Sequence, residues 1–76
     1  MMIEVASLRS DEPPPRRIVL YEVRNLFGEP SLLREGWDGK IKIETHDSAD
    51  ALRKRVRRII AACKGHGYIL EEAERP

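Results

Sequence analysis

The chain has only one cysteine, few aromatic residues and no long apolar run. A lone Cys63 excludes an internal disulfide framework and a multi-thiolate zinc site, and it suits a reducing compartment. No apolar stretch approaches the ~20 residues that cross a bilayer, and the N-terminus lacks the charged-then-apolar pattern of a secretory leader. We therefore expect a cytoplasmic domain with no membrane partner.

Groups that could carry catalysis are equally scarce. The sequence has no Gly-rich phosphate loop, no histidine pair at metal-ligand spacing, and no serine or cysteine beside an obvious base. His46 and His66 are isolated and are expected in exposed loops, while Cys63 is expected to be a small buried hydrophobe. The expectation is a protein that is not an enzyme and that uses no metal and no cofactor. An unrecognised small enzyme is the weakest alternative.

The length of 76 residues allows one small domain with a modest core. The first residues, MMIEVASL, have the composition of a short strand, but RSDEPPPRR follows them. Three consecutive prolines cannot donate ladder hydrogen bonds and favour polyproline II geometry. We therefore predict a weakly ordered, Pro-rich lead-in over residues 1–15 and a single folded domain over residues 16–74.

Within that domain, hydrophobic periodicity predicts the order β-β-β-α-β. The predicted strands are RIVLYEV, SLLREGW, the alternating KIKIET and a final YILEE. Between the last two lies a helix with N-cap candidates Asp47 and Ser48, a C′ glycine at Gly65, and one apolar face formed by Leu52, Val56, Ile59, Ile60 and Cys63. This order indicates an α+β fold: a small, mostly antiparallel sheet of about four strands, with one amphipathic helix packed on one face.

Basic residues are concentrated in the predicted helix. The formal net charge is only +1, yet the segment from Arg53 to Lys64 contains six basic residues and no acid. At 100° per residue, Arg53, Arg57 and Lys64 cluster beside the apolar face. Such a surface attracts nucleic-acid phosphates, but a charged helix can also be simply a solvated face. Both interpretations stay open.

The single tryptophan, Trp37, lies in a Gly-Trp-Asp-Gly stretch between two predicted strands. It could contribute to core or rim packing, as aromatic side chains often do in small domains. It could also be a stacking platform for a base or sugar at a hairpin flanked by Arg34, Lys40 and Lys42. We expect a partly exposed tryptophan at the rim of the fold.

Several short motifs recur in the order and spacing of a known family. They are Leu26-Phe27-Gly28-Glu29, the strand Leu32-Leu33-Arg34-Glu35 ending near Trp37, Gly39-Lys40, Ser48 with Ala51, a late Lys64 and a closing Gly67-Tyr68. Together they resemble the WGR domain over roughly residues 17–70, as found in small stand-alone bacterial proteins and in DNA-dependent poly(ADP-ribose) polymerases. The resemblance implies a small antiparallel sheet with one helix, and it favours DNA over RNA as a partner.

The name-giving motif of that family is only partly present. Trp37 is followed by Asp38-Gly39-Lys40 instead of Gly-Arg-Ile-Gly. In the polymerases, the family's tryptophan and a nearby arginine contact a DNA break, so the resemblance transfers that contact to Trp37 alone. We expect no catalytic domain beside it, and no polymerase activity is implied.

Two functional hypotheses follow. The first is a non-catalytic, WGR-like nucleic-acid-binding module that contacts the backbone with salt-sensitive affinity and little sequence preference. Its candidate contact residues are Trp37, Arg34, Lys40, Lys42, Arg53, Arg57 and Lys64. The second hypothesis is a protein-interaction or self-associating module, which docks an acidic protein or another copy through its sheet or the Trp37 rim.

Overall fold

A computed structural model describes residues 2–73 and shows five antiparallel strands in one sheet, together with a single helix. The predicted α+β class is confirmed, with five strands in place of about four. The elements are β1 (Met2–Ser10), β2 (Arg16–Arg24), β3 (Pro30–Glu35), β4 (Ile41–Thr45), α1 (Ala49–Gly65) and β5 (Ile69–Ala73). Within residues 2–73, no helix is both long enough and apolar enough to span a membrane.

The N-terminal segment is the main correction to the sequence prediction. Residues 2–10 are not a weakly ordered lead-in but form β1, which lies between β2 and β5 in the strand order β4-β3-β2-β1-β5. The side chains of Ala6 and Leu8 are completely buried. The prolines that argued against a strand lie in the β1–β2 connection, where no ladder hydrogen bond is required of them. The folded domain therefore begins with β1 rather than near Arg16.

The apolar core lies on one face of the sheet. Opposite residues in adjacent strands share a face, and the pairs Leu8–Ile18, Ala6–Leu20 and Leu8–Leu70 lie on the same side as α1. The buried apolar core on that side consists of Ala6, Leu8, Leu20, Leu32, Leu52 and Ile59. We call the opposite side the open face; it carries the cross-strand row Tyr21, Leu33 and Ile43.

Both ends of α1 are capped by local hydrogen bonds. At the start, the Ser48 hydroxyl accepts a bond of 3.1 Å from the backbone N–H of Ala51, so Ser48 is the N-cap. At the end, the N–H groups of Gly67 and Tyr68 donate to the carbonyls of Lys64 and Cys63, which is the Schellman pattern. The C′ glycine is thus Gly67, with φ +90°, and the prediction of Gly65 was two residues early.

A small polar cluster joins α1 to β4 and corrects the expectation for His46. This histidine is not an exposed loop residue: its side chain is 18% exposed, and its Nε2 lies 2.8 Å from Oε1 of Glu44. The same oxygen accepts a hydrogen bond of 2.9 Å from Nε of Arg55. Partial burial raises the pKa of Glu44, but Arg55 and His46 outweigh it and hold that pKa below its ordinary value.

Candidate nucleic-acid interface

Trp37 is held at the tip of the β3–β4 hairpin by a tight turn. The Gly39 N–H donates to the Gly36 carbonyl at 3.0 Å, and the Gly36 N–H donates to the Lys40 carbonyl at 2.8 Å. Gly39 has φ +83°, the left-handed conformation that closes a three-residue hairpin loop after a type I turn. Asp38 stabilises the turn by accepting from the Lys40 N–H at 3.1 Å. The tryptophan at this tip is 55% exposed, which confirms the rim position.

An arginine packs on the indole ring. The guanidinium carbon of Arg16 lies 4.9 Å from the ring centroid of Trp37, within the range of a cation–π contact. The β2–β3 register explains this contact: the last strand pair is Val19 with Glu35, so the residues before Val19 continue alongside the hairpin tip. Arg16 restricts the orientation of the ring while leaving more than half of it exposed.

Two cavities meet at Trp37. The first has a volume of about 360 Å³, and its basic lining residues are Arg9, Arg16 and Arg17. The second, of about 270 Å³, contains Arg34, Lys40, Lys42 and a second aromatic ring, Tyr68. Trp37 lines both, whereas Arg16 lines only the first. The structure therefore brings together four of the residues singled out from the sequence: Trp37, Arg34, Lys40 and Lys42.

Some of these cations are already neutralised within the protein. Arg9 and Arg17 both approach Oε2 of Glu71, at 3.7 and 3.1 Å, and Arg9 also pairs with an aspartate, Asp11. Lys40 is 3.8 Å from the carboxylate of Asp38.

Three cations around Trp37 have no such partner among the described side chains. Within residues 2–71, no carboxylate lies within ion-pair distance of Arg16, Arg34 or Lys42. The uncompensated positive charge at the hairpin tip therefore comes from these three side chains. An anion that reached the tip would meet them without having to displace an internal carboxylate.

The basic residues of the helix lie elsewhere. Arg53, Arg57 and Lys64 are exposed on α1, and none of them lines either cavity. Arg53 is 3.4 Å from Asp50, one turn earlier in the helix. The candidate residues thus divide into a hairpin group around Trp37 and a separate helix group.

Among the basic and aromatic lining residues, sequence reasoning missed four: Arg9, Arg16, Arg17 and Tyr68. The sequence prediction places Arg9 in the weakly ordered lead-in and Arg16 at the start of the folded domain, so it gives no reason to expect Arg16 to pack on Trp37. The signal was present in the register. An antiparallel hairpin of RIVLYEV with SLLREGW places Arg16 and Arg17 next to the strand end that carries Trp37.

Other reactive groups lie apart from this site or near its edge. Cys63 is half-buried against the core, where burial raises the pKa of its thiol, and the nearby Arg34 opposes that shift only in part. Among the side chains that the structure describes, no three His, Cys, Asp or Glu residues converge as a metal site would require.

The chain was compared with known protein families, with characterised proteins and with solved structures, and none of these comparisons found a match. The function proposed below therefore rests on the residues of the hairpin tip.

Proposed function

We propose that this chain is a non-catalytic, WGR-like nucleic-acid-binding module that stacks a base against Trp37 and holds the adjacent phosphates with Arg16, Arg34 and Lys42. The observation that carries the proposal is the half-exposed indole at a junction of two cavities, with three cations beside it that have no acidic partner among the described side chains. Aromatic platforms in a positively charged groove are the common means of binding single strands.

The arrangement of the indole favours an unpaired base. Arg16 packs on the ring, so a nucleobase stacks on the surface that Arg16 leaves exposed, towards the cavity that contains Tyr68. A base inside a duplex is already stacked on both sides and cannot do this without being extruded, which costs a few kcal/mol. We expect single strands and exposed duplex ends to bind more tightly than continuous duplex, and the WGR resemblance favours DNA.

Phosphate binding is assigned to the three unpaired cations and not to every basic residue nearby. Arg9, Arg17 and Lys40 already contact carboxylates, so moving them to a phosphate gives up an existing ion pair. For a single strand, each phosphate contact contributes about 0.7 to the slope of log affinity against log salt. Three contacts predict a slope of about −2.

The test is a titration of fluorescently labelled single-stranded, blunt and nicked DNA at several salt concentrations. Anisotropy of the label reports binding, and Trp37 emission reports contact with the only tryptophan. We expect salt-sensitive binding that quenches Trp37. Trp37→Ala should weaken binding about 5- to 150-fold, the range for one lost base–aromatic stack. Phe27→Ala, which removes an exposed aromatic ring that lines neither cavity, is the matched control.

The helix group provides the second comparison. Arg34→Gln with Lys42→Gln should lower the salt slope by about 1.4, and Arg53→Gln with Arg57→Gln should leave it unchanged. The opposite pattern would move the interface to α1. If none of the three DNAs binds at low salt, the nucleic-acid proposal is rejected.

A protein-interaction module is the second candidate. The observation in its favour is the β2–β3 loop, where the side chains of Leu26 and Phe27 are almost fully exposed to solvent. A DNA titration without binding, together with a partner whose affinity falls on Phe27→Ala, would favour this alternative.

A further inference from the structure

The outer side of β4 has backbone groups available for another strand. β4 is at one end of the strand order, so only β3 pairs with it. The His46 N–H donates to the Pro30 carbonyl and the Gly36 N–H donates to the Lys40 carbonyl, which places the even-numbered residues in the bonded pairs with β3. Bonded and non-bonded pairs alternate along an antiparallel ladder. The N–H and C=O groups of Ile41, Ile43 and Thr45 therefore point outward.

Two copies of β4 can pair antiparallel with Ile43 at the centre of the contact, and their side chains then complement each other. In this register Ile43 faces Ile43 of the second copy, and Ile41 faces Thr45. All of these residues point their backbone groups outward, so the pairing can form about six hydrogen bonds. Lys42 then stands directly opposite Glu44 of the second copy, and this pair occurs twice because the contact is two-fold symmetric.

Neighbouring registers are less favourable. Centring the pair on Lys42 brings two lysines face to face, and centring it on Glu44 brings two carboxylates together. If the register shifts by a single residue, each residue with outward backbone groups lies opposite one whose groups point to β3. The hydrogen bonds between the two copies then cannot form. The other edge, β5, pairs no better with itself, since an antiparallel contact centred on Glu71 opposes that residue to its own copy.

The side chains of β4 also suit such a contact. On the open face, Ile41 is 57% and Ile43 is 63% exposed, and both lose solvent contact in the pair. On the helix face, Arg55 and His46 bond only to Oε1 of Glu44 among the described residues. The second carboxylate oxygen, Oε2, can therefore accept from Lys42 of the second copy, and Lys42 has no acidic partner among the side chains of residues 2–71.

From these observations we propose that two copies of the chain associate through β4, antiparallel about Ile43, and join their five-stranded sheets into one continuous sheet. Both helices lie on the same side of it, and the two open faces form one surface. A contact of five residues per strand is small, so the dimer is weak, with association expected across roughly 10 µM to 1 mM protein. This proposal does not depend on nucleic-acid binding. Because Lys42 cannot contact a phosphate and Glu44 of a second copy at once, the two uses of Lys42 compete.

The test is sedimentation velocity over that concentration range without nucleic acid. Amide hydrogen exchange is measured in addition at the lowest and the highest protein concentration of the range. We expect a shift from monomer to dimer. Amides of Ile41, Ile43 and Thr45 should gain protection at high concentration, whereas the amides of Lys42 and Glu44 should be protected throughout because they face β3. A chain that stays monomeric, or a dimer that leaves those three amides unprotected, would overturn the proposal.

Variants identify the register. Lys42→Glu should weaken dimerisation about tenfold or more, because it places two carboxylates opposite each other at both symmetric positions. Lys54→Glu makes the same charge change on the exposed side of α1 and should have no effect. Mixing the Lys42→Glu chain with a Glu44→Lys chain should restore association, since every facing pair is then of opposite charge.

One variant avoids changing the charge. Ile43→Pro removes an N–H that points outward, a position where an edge strand tolerates proline, and should abolish dimerisation while circular dichroism still shows a folded chain. If dimerisation persists at its original strength in both Lys42→Glu and Ile43→Pro, the copies meet through a different surface.

Discussion

The assignment of β1 to the core can be tested with Leu8→Ala. Leu8 is completely buried between β2 and β5, opposite Ile18 on one side and Leu70 on the other. Shortening leucine to alanine removes three carbon atoms, worth about 0.8 kcal/mol each, and leaves a cavity that adds to the loss. We expect the free energy of unfolding to fall by about 2.5–4 kcal/mol. That is a large part of the ~4–11 kcal/mol typical of a chain of this length.

The measurement is urea unfolding followed by far-ultraviolet circular dichroism, with thermal unfolding as a second readout. The midpoint should fall with the denaturant slope unchanged, and the melting temperature should drop by about 10–30 °C. Met2→Ala is the matched control, because Met2 belongs to the same strand but is 57% exposed and should change stability by less than ~0.5 kcal/mol. If Leu8→Ala changes stability as little as Met2→Ala, the side chain of Leu8 is not part of the core and β1 does not lie between β2 and β5.

Three further predictions concern the turn, the polar cluster and the thiol. Gly39→Ala should lower the thermal midpoint by the equivalent of ~1–2 kcal/mol because of its φ of +83°, whereas Gly65→Ala in the helix should not lower it. The native chain should be more stable than Glu44→Gln, and the difference should have its full size above pH ~4.5. It should disappear as the pH falls through the lowered pKa of Glu44, because protonation weakens the bond to Arg55. Denaturant titrations at several pH values measure this difference. Cys63 should react with iodoacetamide at pH 8 more slowly than a free thiol, and equal rates would show that burial does not raise its pKa.

Local patterns were sufficient to predict most of the elements. The apolar spacing of α1, the alternation in β4 and the turn residues Asp38-Gly39 each act over a few neighbours, so their consequences can be read without tertiary information. The placement of β1 could not be obtained this way. MMIEVASL has strand character, but its burial depends on pairing with β5, more than fifty residues later, and the intervening prolines pointed to disorder.

At the candidate site, too, local contacts could be predicted from the sequence and tertiary contacts could not. The residues of one hairpin, Arg34, Trp37, Lys40 and Lys42, were grouped from the sequence because a hairpin keeps them together. Arg16 and Tyr68 reach the same place from β2 and from the end of α1, so only the sheet register and the helix length reveal them. Which cations are available also depends on tertiary ion pairs: Glu71 and Asp11 together compensate Arg9 and Arg17, an effect that composition does not show.

The position of β1 between β2 and β5 has a consequence for the growing chain on the ribosome. Arg9 of β1 pairs with Ile69 of β5, yet the two are separated by about 60 residues, which take roughly 3–12 s to synthesise at ~5–20 residues per second. The β1–β2 hairpin can form early in that interval, while the other edge of β1 waits for a strand that has not yet been made. During those seconds the nascent protein presents Ala6 and Leu8 beside an unpaired backbone, and this edge is where a chaperone would be needed.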